Sequence, residues 1–337
     1  MPAPKLTFFC ELEPEPLLSL IDDSVIADLI ELNADISLGI LDLSRERAQV
    51  VRRLNQAGIP VSAWLLLPKE QGYWFNLYNA SQALERYQDF IGWTNAEGLI
   101  WDGVGLDIEP DMREMTQLSK RDWSVLPEIL RRMFDFRIQK DARLAYKYLI
   151  DQIQLDGYRV DSYQFPLIAD ERQAGSKFLQ RLAGLIDIPV DREVWMLYTS
   201  FVRPNGAGFI ASYSPEAQAV GIGSTGGGVE LDFGETRLQP LTWAELARDL
   251  RLAWYWCDDL HIFSLEGCIE QDLIEPLKSF VWDEPIMMPY SSLARVDGWR
   301  RAFRSSLWIV SNIAYIILLL TGILVLWKTL RYLLGRK

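Results

Sequence analysis

The sequence predicts a closed (β/α)8 barrel, the TIM-type architecture, followed by a single C-terminal transmembrane helix. Three observations lead there. Between residues 6 and 285, eight short runs rich in β-branched and aromatic residues alternate with stretches of helical apolar spacing. The runs are apolar throughout rather than every second residue, which marks strands buried on both faces of a parallel sheet. Near the end, residues 305–327 (SSLWIVSNIAYIILLLTGILVLW) are 23 residues without a charge, more than the roughly 20 a helix needs to cross a bilayer core.

The elements follow in order. LTFFCELE (6–13) is the first strand and LLSLIDDSVIADLIELN the helical stretch behind it. ISLGILDL (36–43) precedes SRERAQVVRRLNQAG, with Ser44 as N-cap and Gly58 as stop. PVSAWLLLP (60–68) precedes SQALERYQDFIGWTNAEG, and GVGLDIEP (103–110) precedes a long helical stretch broken near Pro127. YRVDSYQFPLI (158–168), EVWMLYTSF (193–201), AQAVGIGST (217–225) and LHIFSLEG (260–267) complete the eight. Eight such units suit a closed barrel of roughly 250 residues or more. An open doubly wound sheet is the alternative, but no G-x-G-x-x-G follows the first strand. The glycine-rich GIGSTGGG (221–228) lacks the Lys-Ser/Thr ending of a P-loop and reads as a flexible rim loop, with a phosphate site as the lesser alternative.

This divides the chain into a barrel domain (1–285), a juxtamembrane linker (286–304), a transmembrane helix (305–327) and a basic tail (328–337). Trp308 and Trp327 mark the two ends of the span as interface anchors. No secretory signal is visible in MPAPKLTFFCELEPEP, so the expected arrangement is a tail anchor with the barrel on the cytoplasmic side. The seven charged residues from Arg300 onward are all basic, whereas the whole chain carries a net charge of -12. That balance argues against nucleic acid as a partner. A single histidine, His261, rules out a multi-histidine metal site, and three cysteines without a C-x-x-C pair argue against zinc or a disulfide framework. No metal or other cofactor is expected, and the chemistry must rest on carboxylates, tyrosines and amides.

In a barrel of this kind the functional residues lie at the carboxyl ends of the strands. Those ends carry Glu11 and Glu13, Asp42, Trp64, Asp107 and Glu109, Asp161 and Gln164, Tyr198 and Glu266. Acids also favour helix N-termini, which accounts for Asp42. It accounts less well for Asp107 and Glu109, two carboxylates at i and i+2 on one side of a strand. Repulsion and desolvation there raise one pKa, as a general acid requires.

WDGVGLDIEP (101–110) resembles the fourth-strand signature D-G-x-D-x-D-x-E of family-18 glycoside hydrolases, the chitinase-like barrels. Asp102, Gly103, Asp107 and Glu109 match, and Gly105 replaces the middle aspartate. VWMLYTS (194–200) is similar to that family's sixth-strand M-x-Y-D, with Met196 and Tyr198 matching and Thr199 in place of the aspartate. The third-strand S-x-G-G is absent. The resemblance implies that Glu109 protonates the glycosidic oxygen, that Asp107 orients a substrate acetamido group acting as nucleophile, and that Tyr198 bonds its carbonyl. With Gly105 and Thr199 missing from that polar network, a protein nucleophile drawn from Glu266, Glu11 or Glu13 is the other route.

The expected catalytic residues are thus Glu109, Asp107, Tyr198 and Glu266. Glu11, Glu13, Trp64, Asp161 and Gln164 are the expected substrate contacts, and Tyr73 and Trp74 are further candidates for stacking on sugar rings. The function expected first is a membrane-anchored glycoside hydrolase acting on a glycan. A non-catalytic barrel that binds a glycan or protein partner at the membrane stands beside it. A magnesium barrel using Asp107, Glu109 and Glu266 is a third reading.

Overall fold

The computed structural model describes residues 3–228 and 239–334. Eight parallel strands close into one barrel in chain order: β1 (Lys5–Cys10), β2 (Ala34–Ile40), β3 (Val61–Leu65), β4 (Gly103–Asp107), β5 (Arg159–Gln164), β6 (Arg192–Tyr198), β7 (Ala219–Gly223) and β8 (Asp259–Phe263). β8 pairs with β1 through Thr7 and His261, which shuts the ring. All eight expected strands are present.

Alternation along each strand separates two apolar cores. Leu6, Phe8, Ile36, Leu38, Val104, Leu106, Val220 and Ile222 face outward and pack under the helices. Phe9, Trp64, Tyr163, Val194, Met196 and Ala219 face inward and fill the barrel. Edge-to-face contacts of Phe9 with Trp64 (5.3 Å between centroids) and Tyr163 (4.8 Å) make this interior a packed layer rather than a pore.

Below that layer the amino-terminal end is plugged by charge. Asp161, fully buried, accepts from Arg159 Nε at 3.1 Å and Arg192 Nε at 3.0 Å, and Arg192 also pairs with Asp259. His261 belongs to the same end: its Nε2 is 3.3 Å from Asp259 Oδ1, and burial holds its imidazole below the usual range. Its place beneath Phe9 and Tyr163 keeps it out of the barrel mouth.

The C-terminal region departs from expectation. The segment expected as a linker (286–304) is mostly helical, belonging to Tyr290–Ser311, which packs along the barrel's flank. Arg300 explains the docking. Its guanidinium is buried, 3.9 Å from the Tyr213 ring centroid, and donates to Asp170 Oδ1 (3.0 Å) and Glu216 Oε1 (2.8 Å). Leu307, expected within the span, is buried against the barrel as well. Asn312 interrupts the helix, and Ile313–Leu334 continues with Ile313, Tyr315, Leu318, Leu320, Leu324 and Leu326 exposed. Ile313–Arg331 is the stretch long and apolar enough to cross a membrane, so that stretch begins about two turns later than the uncharged window suggests.

Candidate functional site

The site forms where β4 ends. After β3 the chain turns through Gly72 (φ +103°) and comes back beside β4, so that Phe75 N–H donates to Asp107 O (2.8 Å) and Glu109 N–H donates to Phe75 O (3.1 Å). This added pairing prolongs β4 by two residues and keeps Asp107 and Glu109 on the inward face, as their i, i+2 spacing predicts.

Asp107 is buried and accepts from Trp64 Nε1 at 3.1 Å through Oδ2, while no donor reaches Oδ1. Glu109 is half-buried beside it, two residues on along the same inward face. Two neighbouring buried carboxyls resist ionising together, so the pair keeps at least one proton at neutral pH. Burial raises both groups first of all; the charge of Glu109 lifts Asp107 further, and Glu109 is pushed up to about 8. Tyr198 faces the same space. Burial, then the charges of Asp107, Glu109 and Glu11, raise its phenol well above the ordinary value and keep it a neutral donor.

Glu11 stands on the opposite rim. Its Oε1 accepts a hydrogen bond from Tyr73, which the positive φ of residues 72 and 73 aims across the mouth. Glu266 lies behind Glu11 rather than at a strand end. It is on the first turn of the Leu265–Glu270 helix, where Oε1 accepts from Glu11 N–H at 3.2 Å. Gly226, Gly227 and Gly228 all have φ between +74° and +110°. A Cβ at Gly227 would lie 2.4 Å from Glu266 Cγ, and one at Gly228 would lie 2.6 Å from Glu11 Oε2. The described part of the glycine-rich loop is therefore backbone laid directly on these acids. With two acids packed against it, this backbone does not suit a phosphate, and the remainder of that loop falls outside the described residues.

The structure thus brings together Asp107, Glu109, Tyr198 and Glu11, with Trp64 and Tyr73 holding two of the acids. Two expected substrate contacts are corrected. Asp161 is at the plugged end, neutralised by two arginines. Gln164 differs from it by three residues, faces the helices and donates to Ser162 Oγ at 2.9 Å. Glu13 is exposed at the start of the Pro14–Leu20 helix. Trp64, Tyr73 and Trp74 are buried, which leaves little ring face for a sugar.

Both departures from the family-18 pattern have a physical counterpart. A Cβ at Gly105 would fall 2.4 Å from the Tyr163 hydroxyl, so Tyr163 fills that space and bonds Ser37 Oγ at 2.6 Å. Thr199 points away from the mouth and donates to Asp249. Tyr163 is the participant the sequence reading missed; the bare Gly105 was its signal, since a glycine inside a strand often marks a bulky neighbour. Among the described residues, no group of three or more His, Cys, Asp or Glu side chains is placed to hold a metal ion.

No protein-family model and no curated protein matches this sequence. Among solved structures, the glycoside hydrolase domain of PgaB (BpsB) from Bordetella bronchiseptica aligns at 10% identity and a TM-score of 0.49, covering 84% of this chain and 100% of that one. A xylose isomerase-like TIM barrel protein from Mycobacterium smegmatis, in complex with magnesium, aligns at 14% identity and 0.44, covering 87% and 100%. The 3-keto-D-glucoside 4-epimerase YcjR from E. coli aligns at 13% and 0.43, covering 82% and 99%. Likeness at this level concerns the barrel alone.

Proposed function

We propose that this chain is a membrane-anchored, glycoside hydrolase-like barrel in which Glu109 is the general acid. One observation carries the reading: two neighbouring carboxyls on the inward face at the barrel mouth, Asp107 buried and Glu109 half-buried, with burial pushing Glu109 up to about 8. An acid of that pKa is still protonated at neutral pH and is placed to give its proton to a leaving oxygen. Glu109 is left as the carboxylate when its proton goes to the leaving oxygen. Asp107, fixed by Trp64 and raised further by that charge, keeps its own proton, and Tyr198 donates to a substrate oxygen. The Ile313–Leu334 helix supplies the anchor.

The test uses the full chain in detergent and a panel of aryl glycosides with and without a 2-acetamido group. Glu109→Gln should lower turnover about 10²–10⁴-fold, the usual contribution of a general acid, and leave ligand affinity within a few-fold. Absence of turnover on every member by the native chain, or full activity in the variant, overturns the assignment. Binding of an oligosaccharide without cleavage would then identify a lectin-like barrel.

A further inference from the structure

An amphipathic helix on a protein's surface ordinarily turns its polar face to water. The Leu126–Phe134 helix does the reverse. Its inward residues are Ile129 and the buried Arg132, whereas Leu130 is 56% and Phe134 73% exposed. Trp123 before it (61%) and Phe136 after it (63%) extend the same outward row. The segment is also basic within an acidic chain. Residues 121–147 contain seven Lys and Arg against four Asp and Glu, and Arg121, Arg131, Arg137 and Lys140 are exposed.

This row is connected to the root of the apolar C-terminal helix. Arg132 pairs with Glu114 at 2.7 Å and donates to Arg181 O at 2.8 Å, joining the Leu126–Phe134 helix to the Phe178–Ala183 helix. Arg181 lies over the Phe136 ring at 5.2 Å. At the other end of that short helix, Ser176 Oγ and Ser311 Oγ are 2.8 Å apart, two residues before Ile313. Six helical residues span only about 9 Å, so one short element separates the row from the root. Exposed Leu182, Trp308, Ile309 and Val310 occupy the intervening flank.

We propose that the outward row Trp123, Leu126, Leu130, Phe134 and Phe136 lies in the headgroup region of the same bilayer that the C-terminal helix enters. The proposal rests on reading Ile313–Leu334 as a membrane span. An apolar row edged by Arg and Lys matches an interfacial helix, with the basic side chains toward anionic headgroups. A helix in the interface and a span one short element away hold the barrel at two points, which fixes its tilt.

The test places a nitroxide on single cysteines in the full chain, reconstituted in vesicles of mixed neutral and anionic phospholipid; the three native cysteines are buried and do not compete. Leu319→Cys reports the span, and Ala27→Cys, exposed on a helix between β1 and β2 across the barrel, reports water. Leu130→Cys should collide with oxygen in preference to a water-soluble nickel chelate, its collision ratio shifted about several-fold from that of Ala27→Cys toward that of Leu319→Cys. If Leu319→Cys is in lipid while Leu130→Cys matches Ala27→Cys, the second contact fails and the span stands. If Leu130→Cys is shielded from both reagents, a protein covers the row and the proposal is overturned. If Leu319→Cys itself meets the nickel chelate, the span reading fails and the proposal falls with it.

Discussion

The raised pKa of Glu109 has a consequence for stability that needs no substrate. In the unfolded chain Glu109 ionises near its ordinary value of 4.5; in the folded protein it holds its proton to about 8. Across that window the folded state binds one more proton than the unfolded state, so stability falls as pH rises and levels off above about 8. The full difference in proton affinity corresponds to roughly 4–5 kcal/mol at about 1.4 kcal/mol per tenfold. Water reaches the open side of Glu109, and about 3 kcal/mol is the working figure after that screening. Glu109→Gln removes this titrating group and leaves Asp107 as the raised carboxyl of the pair. The native chain should therefore lose about 6 °C in Tm between pH 5 and pH 8 through Glu109, at about 2 °C per kcal/mol for a domain this large, and the variant, with only Asp107 of the pair left to titrate, should fall less steeply. The variant should also be the more stable of the two at pH 8. Near-UV circular dichroism of the full chain in detergent, melted at intervals across that range, gives both curves. Parallel profiles, or a variant less stable than the native chain at pH 8, would refute the raised pKa of Glu109.

Other perturbations test the remaining structure. Gly105→Ala puts a Cβ 2.4 Å from the Tyr163 hydroxyl and should cost about 1–3 kcal/mol of overpacking, read as a lowered Tm. Asp161→Asn leaves Arg159 and Arg192 under-compensated and should destabilise by about 3–5 kcal/mol, with oligosaccharide affinity unchanged because the residue is at the plugged end. A chain ending at Asn312 should be soluble and monodisperse without detergent. One ending at Pro285 leaves Asp170 and Glu216 without Arg300 and should melt lower or aggregate on size exclusion.

The eight strands were legible because a parallel strand under helices must be apolar on both faces, and few other elements are. The acid pair was legible for an equally local reason: residues two apart share a face. Height within the barrel is another matter. Asp161 and Asp107 both point inward, but Asp161 is opposite Gly105, one inward step below, and register across strands is not written in either strand alone. The parity of Asp161 and Gln164 was readable and already forbade both from facing the mouth. Arg300 shows the limit at the other end of the chain. A basic residue just before an apolar window looks like a membrane flank, and only contacts 84 to 130 residues away reveal it as buried.

The two departures from the family-18 pattern now bear on mechanism in the same direction. Where that pattern has a carboxylate in the middle of β4, this barrel has the uncharged ring of Tyr163 held by Ser37. Where it has one after Tyr198, Thr199 is turned outward onto Asp249, whose charge is already matched by Arg248 at 2.7 Å. Each exchange replaces a charge by packing and leaves fewer acids beside Asp107 and Glu109. The carboxylate that remains across the mouth is Glu11, its Oε1 accepting from Tyr73 and its backbone tied to Glu266. A substrate oxygen protonated by Glu109 would therefore face one acid from β4 and one from the end of β1. On the proposed reading, Glu11 is then the carboxylate that would stand in for a substrate acetamido group. The comparison of aryl glycosides with and without that group thus discriminates between the two routes: equal turnover favours a protein carboxylate, and dependence on the acetamido group favours assistance by the substrate despite both exchanges.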